Sequence, residues 1–199
     1  MNLRAVPILV IALSLNSAAQ VQKQPSAPLG KPARFDTAIY RNATFSFRYQ
    51  IPYGWVDRTQ EIQDGNDASK GEVLLAIFER PPQASGDTIN SAVVIATENA
   101  TAYPGLKKPE DYLAPLTEVT TAKGFKADGD PSEVEIGLQR LIRADFSKAL
   151  NDKLIMHQST LVLLSKGQIV SFTFIADSVD AVNDLIEGLN FSPTKPKAK

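Results

Sequence analysis

His157 is the only histidine of the chain, so any histidine-based chemistry must use it. A catalytic triad would combine it with a serine and a carboxylate, and the imidazole would take the proton of the nucleophile. The residue lies in the middle of the apolar run 153–164, and no nucleophile-elbow pattern occurs in the sequence. We interpret His157 as a strand histidine that faces solvent or forms a hydrogen bond. The sequence therefore predicts no catalytic residue, and a hydrolase is the least favoured function.

Three small groups of acidic residues are candidates for calcium binding or for glycoside hydrolysis. Residues 128–132 and 64–67 begin like calcium loops, but neither has the glycine at position six or the glutamate at position twelve of an EF-hand. Both are typical turn sequences. Glu133 and Glu135 alternate along a strand and share one face, which predicts a solvated surface rather than the carboxylate pair of a glycosidase.

Other side chains offer weaker signals. Arg143 and Asp145 lie two residues apart on a strand and predict a surface ion pair. Tyr53, Trp55 and Tyr103 are candidate walls of a small-ligand cleft, although aromatic residues in such positions also close the edge of a core. The chain has no cysteine and its eleven glycines are scattered, which excludes thiolate sites and phosphate loops. We expect no cofactor-binding residue and no metal site.

The N-terminus has the three parts of a cleavable signal peptide. Arg4 gives a positive region, residues 5–15 form an apolar run, and Ser17-Ala18-Ala19 places small side chains before a cleavage site at Gln20. The run is far shorter than the roughly 20 apolar residues of a spanning helix, and no cysteine follows for lipid attachment. We expect residues 1–19 to be removed and the mature protein to be soluble in the periplasm or outside the cell, without a transmembrane segment.

The rest of the chain divides into a linker, one domain and a tail. Residues 20–36 are rich in proline and predict a flexible linker. Residues 37–192 have the length and apolar content of a single domain, and 193–199 predict a solvated tail. Lysine and arginine total 21 against 22 acidic residues, and loss of Arg4 leaves 20 against 22. This balance supplies no basic field for nucleic acid.

The first half of the domain alternates in the manner of strands and then changes to a helical period. Residues 44–51 place Phe45, Phe47 and Tyr49 on one face, and residues 72–79 and 91–97 are short apolar runs between turn residues. A helix is predicted over 109–124. It begins either at Pro109 or near Ala114, where Pro115 would occupy its first turn and lose no hydrogen bond.

The second half predicts three strands and a helix. Residues 132–146 form the first strand, with Val134, Ile136 and Leu138 on one face, and residues 153–164 and 168–176 follow after short turns that require antiparallel neighbours. Residues 177–190 form an amphipathic helix with Asp177 or Ser178 as its N-cap. Val182, Leu185, Ile186 and Leu189 are its apolar side. We predict an α+β fold, an antiparallel sheet of about six to seven strands with helices packed on it.

Three stretches resemble the PsbP fold family, which also includes a small Ran-binding nuclear import factor and uncharacterised exported bacterial proteins. They are the aromatic strand followed by Ile51-Pro52-Tyr53-Gly54-Trp55, the charged strand at residues 141–145, and the block in which residues 169–175 lead through Asp177-Ser178 into a helix ending Leu189-Asn190-Phe191. The resemblance implies an α/β/α sandwich over most of residues 40–191. It also implies a binding or assembly role without shared catalytic residues.

Taken together, these features favour an exported, non-enzymatic protein that binds another envelope protein or acts as an assembly factor. A module that binds a small ligand or lipid is the alternative. The partner, the ligand and the oligomeric state do not follow from the sequence.

Overall fold

The computed structural model describes residues 38–65, 71–81 and 88–191. The predicted signal peptide, linker and tail lie outside these residues, as does part of the carboxylate-rich stretch 64–67. The strands are β1 (Ile39–Asn42), β2 (Phe47–Gln50), β3 (Val56–Asp57), β4 (Glu72–Phe78), β5 (Ala92–Asn99), β6 (Lys126–Ala127), β7 (Ser132–Ile136), β8 (Gln139–Asn151), β9 (Leu154–Ser165), β10 (Gln168–Ala176) and β11 (Leu189–Phe191). The α-helices are α1 (Thr59–Asp64), α2 (Leu113–Ala122) and α3 (Val179–Glu187).

A large antiparallel sheet forms the middle layer. Its strand order is β3-β4-β5-β10-β9-β8-β6, and β7 also pairs with β8. The central strands are apolar on both sides because both sides are covered, as the near-continuous burial of β5 and β10 shows. In β10, Phe172 and Phe174 point to one side of the sheet and share a core cluster, whereas Ile169 and Ile175 point to the other side and belong to two separate clusters there.

A small sheet and α3 cover the first face. The small sheet has the order β1-β2-β11, and Phe47 and Tyr49 of β2 are buried against Phe172 and Phe174 of the large sheet. Val182 of α3 is buried in the same cluster. We name this side of the large sheet the α3 face.

Two helices and a 3-10 segment cover the opposite face. The 3-10 helix Pro109–Tyr112 leads directly into α2, and Pro115 lies in the first turn of α2, where its missing N–H breaks no helical hydrogen bond. Tyr112 and Leu113 pack against Ile142, Phe146 and Val162. The later of the two predicted helix starts is therefore nearest to the observed one, and Pro109 opens the 3-10 turn instead.

Three tight turns connect β7, β8, β9 and β10. Lys166 and Gly167 both have positive φ, of 53° and 74°, as a type I′ hairpin turn requires. Asp152 and Lys153 form the two-residue connection between β8 and β9. The strand predicted over 132–146 is wrong in one respect, because Gly137 adopts a φ of 63° and turns the chain between β7 and β8. Leu138, expected on the apolar face, is 87% exposed in that turn.

Strands β6 and β7 pair in succession with the same side of β8. Lys126 lies opposite Ser147, and Ser132 lies opposite Arg143. The amide of Asp128 donates to the carbonyl oxygen of Asp145 at 2.8 Å between these two pairings. Gly129, Asp130 and Pro131 then interrupt the strand, so this edge of the sheet consists of two short pieces.

The hairpin of β8 and β9 extends beyond its neighbours. The pairing of β10 with β9 stops at His157, and the pairing of β6 with β8 stops at Ser147. Beyond these residues only β8 and β9 remain paired, and we call residues 148–156 the projecting ribbon. Ile155 lies on its α3 face and is 47% exposed, whereas Leu154 and Met156 on the other face pack against a core cluster. Leu150, at an irregularity in the pairing between Ala149 and Asn151, is also exposed.

Candidate functional site

An open pocket lies on the α3 face at the base of the projecting ribbon. Its volume is about 210 Å³, and its walls come from β8, β9, the residue after β6 and the first turns of α3. The lining residues are Asp128, Arg143, Asp145, Phe146, His157, Gln158, Ser159, Val179 and Val182. The pocket therefore contains the predicted ion pair, the single histidine and one of the predicted carboxylate turns.

Strand register brings together the polar side chains of this pocket. Asp145 lies opposite Ser159, and Ser147 lies opposite His157 across the antiparallel pair β8–β9. Directly opposed residues project to the same side of a sheet. Further along β9, Leu161 lies in the core cluster that α3 helps to cover. Near Val179, at the start of α3, the helix no longer covers this face of the sheet, and its residues there are polar.

Arg143, Asp145 and Ser159 form a connected hydrogen-bond network. Arg143 Nε donates to Oδ1 of Asp145 at 2.8 Å and to Oδ2 at 3.0 Å, and its Nη2 donates to Oγ of Ser159 at 3.0 Å. The Ser159 hydroxyl in turn donates to Oδ1 of Asp145. The predicted ion pair is present, but it is half-buried and has a third member, so it is more than the surface pair expected from spacing alone.

His157 lies beside this network without joining it. Its ring makes no hydrogen bond to any described residue, and the Ser159 proton goes to Asp145 rather than to the imidazole. A histidine-activated nucleophile requires a hydrogen bond between the two side chains, although such bonds are often looser before substrate binds. The arrangement is that of a structural serine held between a guanidinium and a carboxylate.

The acidic turn at residues 128–132 contributes one side chain to the pocket. Ser147 Oγ donates to Oδ1 of Asp128 at 2.9 Å, which fixes that carboxylate at the rim. No three histidine or acidic side chains within residues 38–65, 71–81 and 88–191 come close enough to hold a metal ion. Glu133 and Glu135 share a face as predicted, on the side of the sheet away from α3, and both lie within 4 Å of Arg140, at 3.6 and 3.2 Å.

The three aromatic residues proposed as walls of a cleft are not brought together. Trp55 packs against the core cluster on the α3 face, whereas Tyr103 belongs to the cluster on the opposite face. Tyr53 is 80% exposed in the loop after β2. The pocket described above forms elsewhere and is lined mainly by strand residues.

Tyr103 instead belongs to a buried group that sequence reasoning missed. Glu98, at the end of β5, is 3% exposed and accepts hydrogen bonds from the hydroxyls of Tyr103 and Tyr112, the latter at 2.5 Å. Burial, and after it the Glu98 carboxylate, raises the pKa of both tyrosines well above its usual value. The signal in the sequence was a carboxylate that ends an apolar strand. This group is internal and does not reach the pocket.

A second missed feature is the charge of the outer side of α3. Asp180, Asp184 and Glu187 are exposed at intervals of four and three residues, which places them on one side of the helix. We call these three residues the acidic stripe. The same helical period that predicts the apolar side of α3 also places these three carboxylates together.

The solution structure of cyanobacterial PsbP (CyanoP) from Synechocystis sp. PCC 6803 matches with a TM-score of 0.52 and 13% sequence identity, over 83% of this chain and 100% of that one. The chain has a PsbP-like fold. The resemblance given by its sequence is therefore confirmed at the level of the fold, and so is the α+β class.

Other comparisons add little to the PsbP-like assignment. Protein PA94 of unknown function from Pseudomonas aeruginosa covers 75% of this chain at 15% identity and a TM-score of 0.41. LpqN of Mycobacterium tuberculosis, described as involved in cell envelope biogenesis, covers 74% at 17% identity and a TM-score of 0.41. Both likenesses are too weak to support an argument about this PsbP-like chain. No family model and no curated protein matches its sequence.

Among the described helices of the PsbP-like domain, none has the length and apolar character needed to cross a bilayer.

Proposed function

We propose that this is an exported, non-enzymatic protein that binds another protein of the cell envelope, as an accessory or assembly factor. The predicted signal peptide supports export. The observation that carries the binding role is the projecting ribbon, a two-stranded extension of the sheet whose α3 face exposes Ile155, while its other face packs on the domain through Leu154 and Met156. Apolar groups kept at such a position are typical of surfaces that another protein covers.

The chemistry of the pocket supports a role without catalysis. Ser159 is the best placed hydroxyl, and its proton is already donated to an ion-paired carboxylate. His157 lines the pocket, but no described carboxylate or hydroxyl forms a hydrogen bond with its ring. A general base must lie within hydrogen-bond reach of the proton that it removes, and these residues do not provide that pairing.

The experiment compares two exposed apolar residues on different hairpins. The full-length protein, tagged and crosslinked in the envelope of its source organism, is purified as wild type, as Ile155→Ser and as Leu138→Ser. We expect one partner to be recovered repeatedly with wild type and Leu138→Ser and to be depleted with Ile155→Ser. Failure to recover any partner, or equal recovery with all three proteins, would refute the proposal.

A module that binds a small ligand is the second candidate, and the open pocket is the observation in its favour. Its 210 Å³ are below the roughly 300–1,000 Å³ typical of ligand sites, which favours a side chain of a partner over a whole metabolite. A thermal-shift screen with envelope metabolites and lipids tests this alternative. A ligand at 100 times its dissociation constant would stabilise the domain by about 2.7 kcal/mol, and its effect should be lost in Arg143→Ala if it binds in the pocket.

A further inference from the structure

The outer surface of α3 is charged in a way that its own helix does not favour. Asp184 follows Asp180 by four residues and precedes Glu187 by three, and like charges at these spacings repel. Glu187 also lies in the last turn, where the helix dipole favours a cation, and that turn contains no basic residue. None of the ion pairs formed within the described residues includes these carboxylates. Asp180 lies in the first turn and suits the positive end of the dipole, but Asp184 and Glu187 are not explained by the stability of the helix.

An exposed apolar surface continues from the N-terminal end of this stripe. Val179, the first residue of α3, is 52% exposed and lines the same pocket as His157. Ile155, 47% exposed, lies two residues before His157 in β9 and on the same face of the sheet. Val179, the pocket and Ile155 thus form one surface, with acidic groups along α3 on one side.

The pocket itself has the same sign of charge. Asp128 and Asp145 both line it, and the only cation that does so, Arg143, is already bonded to Asp145. The surface as a whole is thus apolar at its centre and acidic on α3 and at the pocket rim.

We infer that this surface binds a basic, amphipathic segment of the partner protein, whose apolar side chains cover Ile155 and Val179 while its lysines or arginines lie along Asp180, Asp184 and Glu187. The inference rests on the proposed binding function and names the chemistry of the partner. Charge complementarity of this kind accelerates association and selects partners, and it makes the affinity depend on salt. The aliphatic part of a long basic side chain also fits a pocket with Val179 and Val182 on one wall.

A second copy of the chain is the competing occupant. Arg41 and Arg48 lie directly opposite each other on β1 and β2 and are exposed on the outer side of the small sheet. Two arginines cannot match both the three carboxylates of α3 and the apolar residues of the ribbon, so we favour a different protein. Self-association is measured as one outcome of the test.

The test uses defined probes, two fluorescent helical peptides built of leucine with either lysine or glutamate. Their affinities are measured for the wild-type protein, for Asp184→Lys/Glu187→Lys and for Glu133→Lys/Glu135→Lys. The last variant makes the same change in net charge on the opposite face of the sheet and serves as the matched control. Sedimentation of each protein alone gives its mass.

We expect the lysine peptide to bind wild type more tightly than the glutamate peptide, with an affinity that falls as salt is added. The α3 variant should bind the lysine peptide about tenfold more weakly, and the control should lose much less. Ile155→Ser should weaken binding with no change in its dependence on salt. A folded α3 variant is expected, because lysine in the last turn suits the helix dipole.

Three results would overturn the inference. They are equal binding of the two peptides, equal losses in the α3 variant and the control, and a dimeric mass that Arg48→Glu abolishes, which would assign the surface to a second copy. These results are separate from failure of the proposed function. The crosslinking experiment could still recover a partner that depends on Ile155, while the charge of α3 has no effect on its binding. The proposed binding function would then stand, and only the basic character of the partner would be refuted.

Discussion

The hydroxyl of Tyr112 lies 2.5 Å from Oε1 of Glu98, and the hydroxyl of Tyr103 donates to Oε2 of the same carboxyl group. The two tyrosine rings also pack edge to face, with centroids 5.1 Å apart. Glu98 is the penultimate residue of β5, whereas Tyr112 ends the 3-10 helix before α2. The contact therefore fastens the segment that precedes α2 to the end of a central strand of the large sheet.

Tyr112→Phe should lower the free energy of unfolding by about 1–3 kcal/mol, because a buried carboxyl oxygen loses this hydrogen-bond donor. Urea denaturation measures the change, and an unaltered m-value would show that the unfolded state is unaffected. Tyr103→Phe is expected to have an effect of similar size. Since both hydroxyls bind one carboxyl group, the double variant should not equal the sum of the single ones. Additive effects would contradict a shared network.

The domain should lose stability at alkaline pH. Burial raises the pKa of Tyr49, Tyr103 and Tyr112, and the Glu98 carboxylate raises it further for the last two. The unfolded chain releases its tyrosine protons near pH 10, while the folded domain retains them. Stability is therefore fully present below about pH 10 and decreases above it.

Circular dichroism and the ultraviolet absorbance of tyrosinate, recorded together over an alkaline titration, check this expectation. The part of the absorbance change that belongs to these three residues should appear only as the structure is lost. Complete ionisation of all the tyrosines in a chain that retains its native spectrum would contradict it.

Asp145→Ala should destabilise the domain by about 1–3 kcal/mol. The Arg143 guanidinium would lose its carboxylate while its side chain is only 19% exposed, and the buried Ser159 hydroxyl would lose its acceptor. Asp152→Ala is the matched control, since Asp152 is exposed in the turn of the projecting ribbon and its change should fall within about 0.5 kcal/mol. Equal midpoints of urea unfolding for the two variants would show that the network contributes nothing.

The two ends of α3 should respond oppositely to substitution. Ser178 Oγ accepts a hydrogen bond from the amide of Ala181 at 3.2 Å, and Ser178→Ala should cost about 0.5–2 kcal/mol as a lost N-cap. Glu187→Lys should instead add about 0.3–1 kcal/mol, since it removes a repulsive charge from the negative end of the dipole. Thermal unfolding monitored by circular dichroism compares the two. A loss of stability in Glu187→Lys would mean that the carboxylate has a stabilising contact.

The central strands and α3 were largely predictable from the sequence because their periodicity is strong. The strand predicted over 168–176 agrees with β10, and the predicted N-cap alternatives include the observed Ser178. Leu189 was assigned to the helix because its spacing fits the apolar side. The helix ends before it, at Glu187, and Leu189 is buried in the small sheet as part of β11.

Other elements were missed for identifiable reasons. Strands β3 and β6 have two residues each, which is too few for an alternating pattern to be recognised. The turn at Gly137 was overlooked because Leu138 continues the alternation of Val134 and Ile136, so the apolar pattern passes through the turn without a break. Helix α1 has no buried residue and consequently no strong apolar period.

Within the candidate site, only the contacts between residues of the same strand could be predicted from the sequence. Spacing placed Arg143 beside Asp145 and Glu133 beside Glu135. It did not place Ser159 against Asp145, because that contact depends on the register of β8 and β9. The register cannot be derived from the spacing of residues within either strand alone. The proximity of α3 to this face likewise follows from tertiary packing.

The interrupted pairing of β6 and β7 along β8 limits how the domain meets other chains. An intact border strand offers a row of unpaired amides and carbonyls on which another polypeptide can extend the sheet. Here that row is broken by Asp130 and Pro131 and flanked by Glu133 and Glu135, while at the far border β3 has only two residues. Along these two borders of the described sheet, a second chain consequently finds no long template for strand addition, and recognition there is left to side chains. The same interruption disfavours edge-to-edge pairing between copies of the domain.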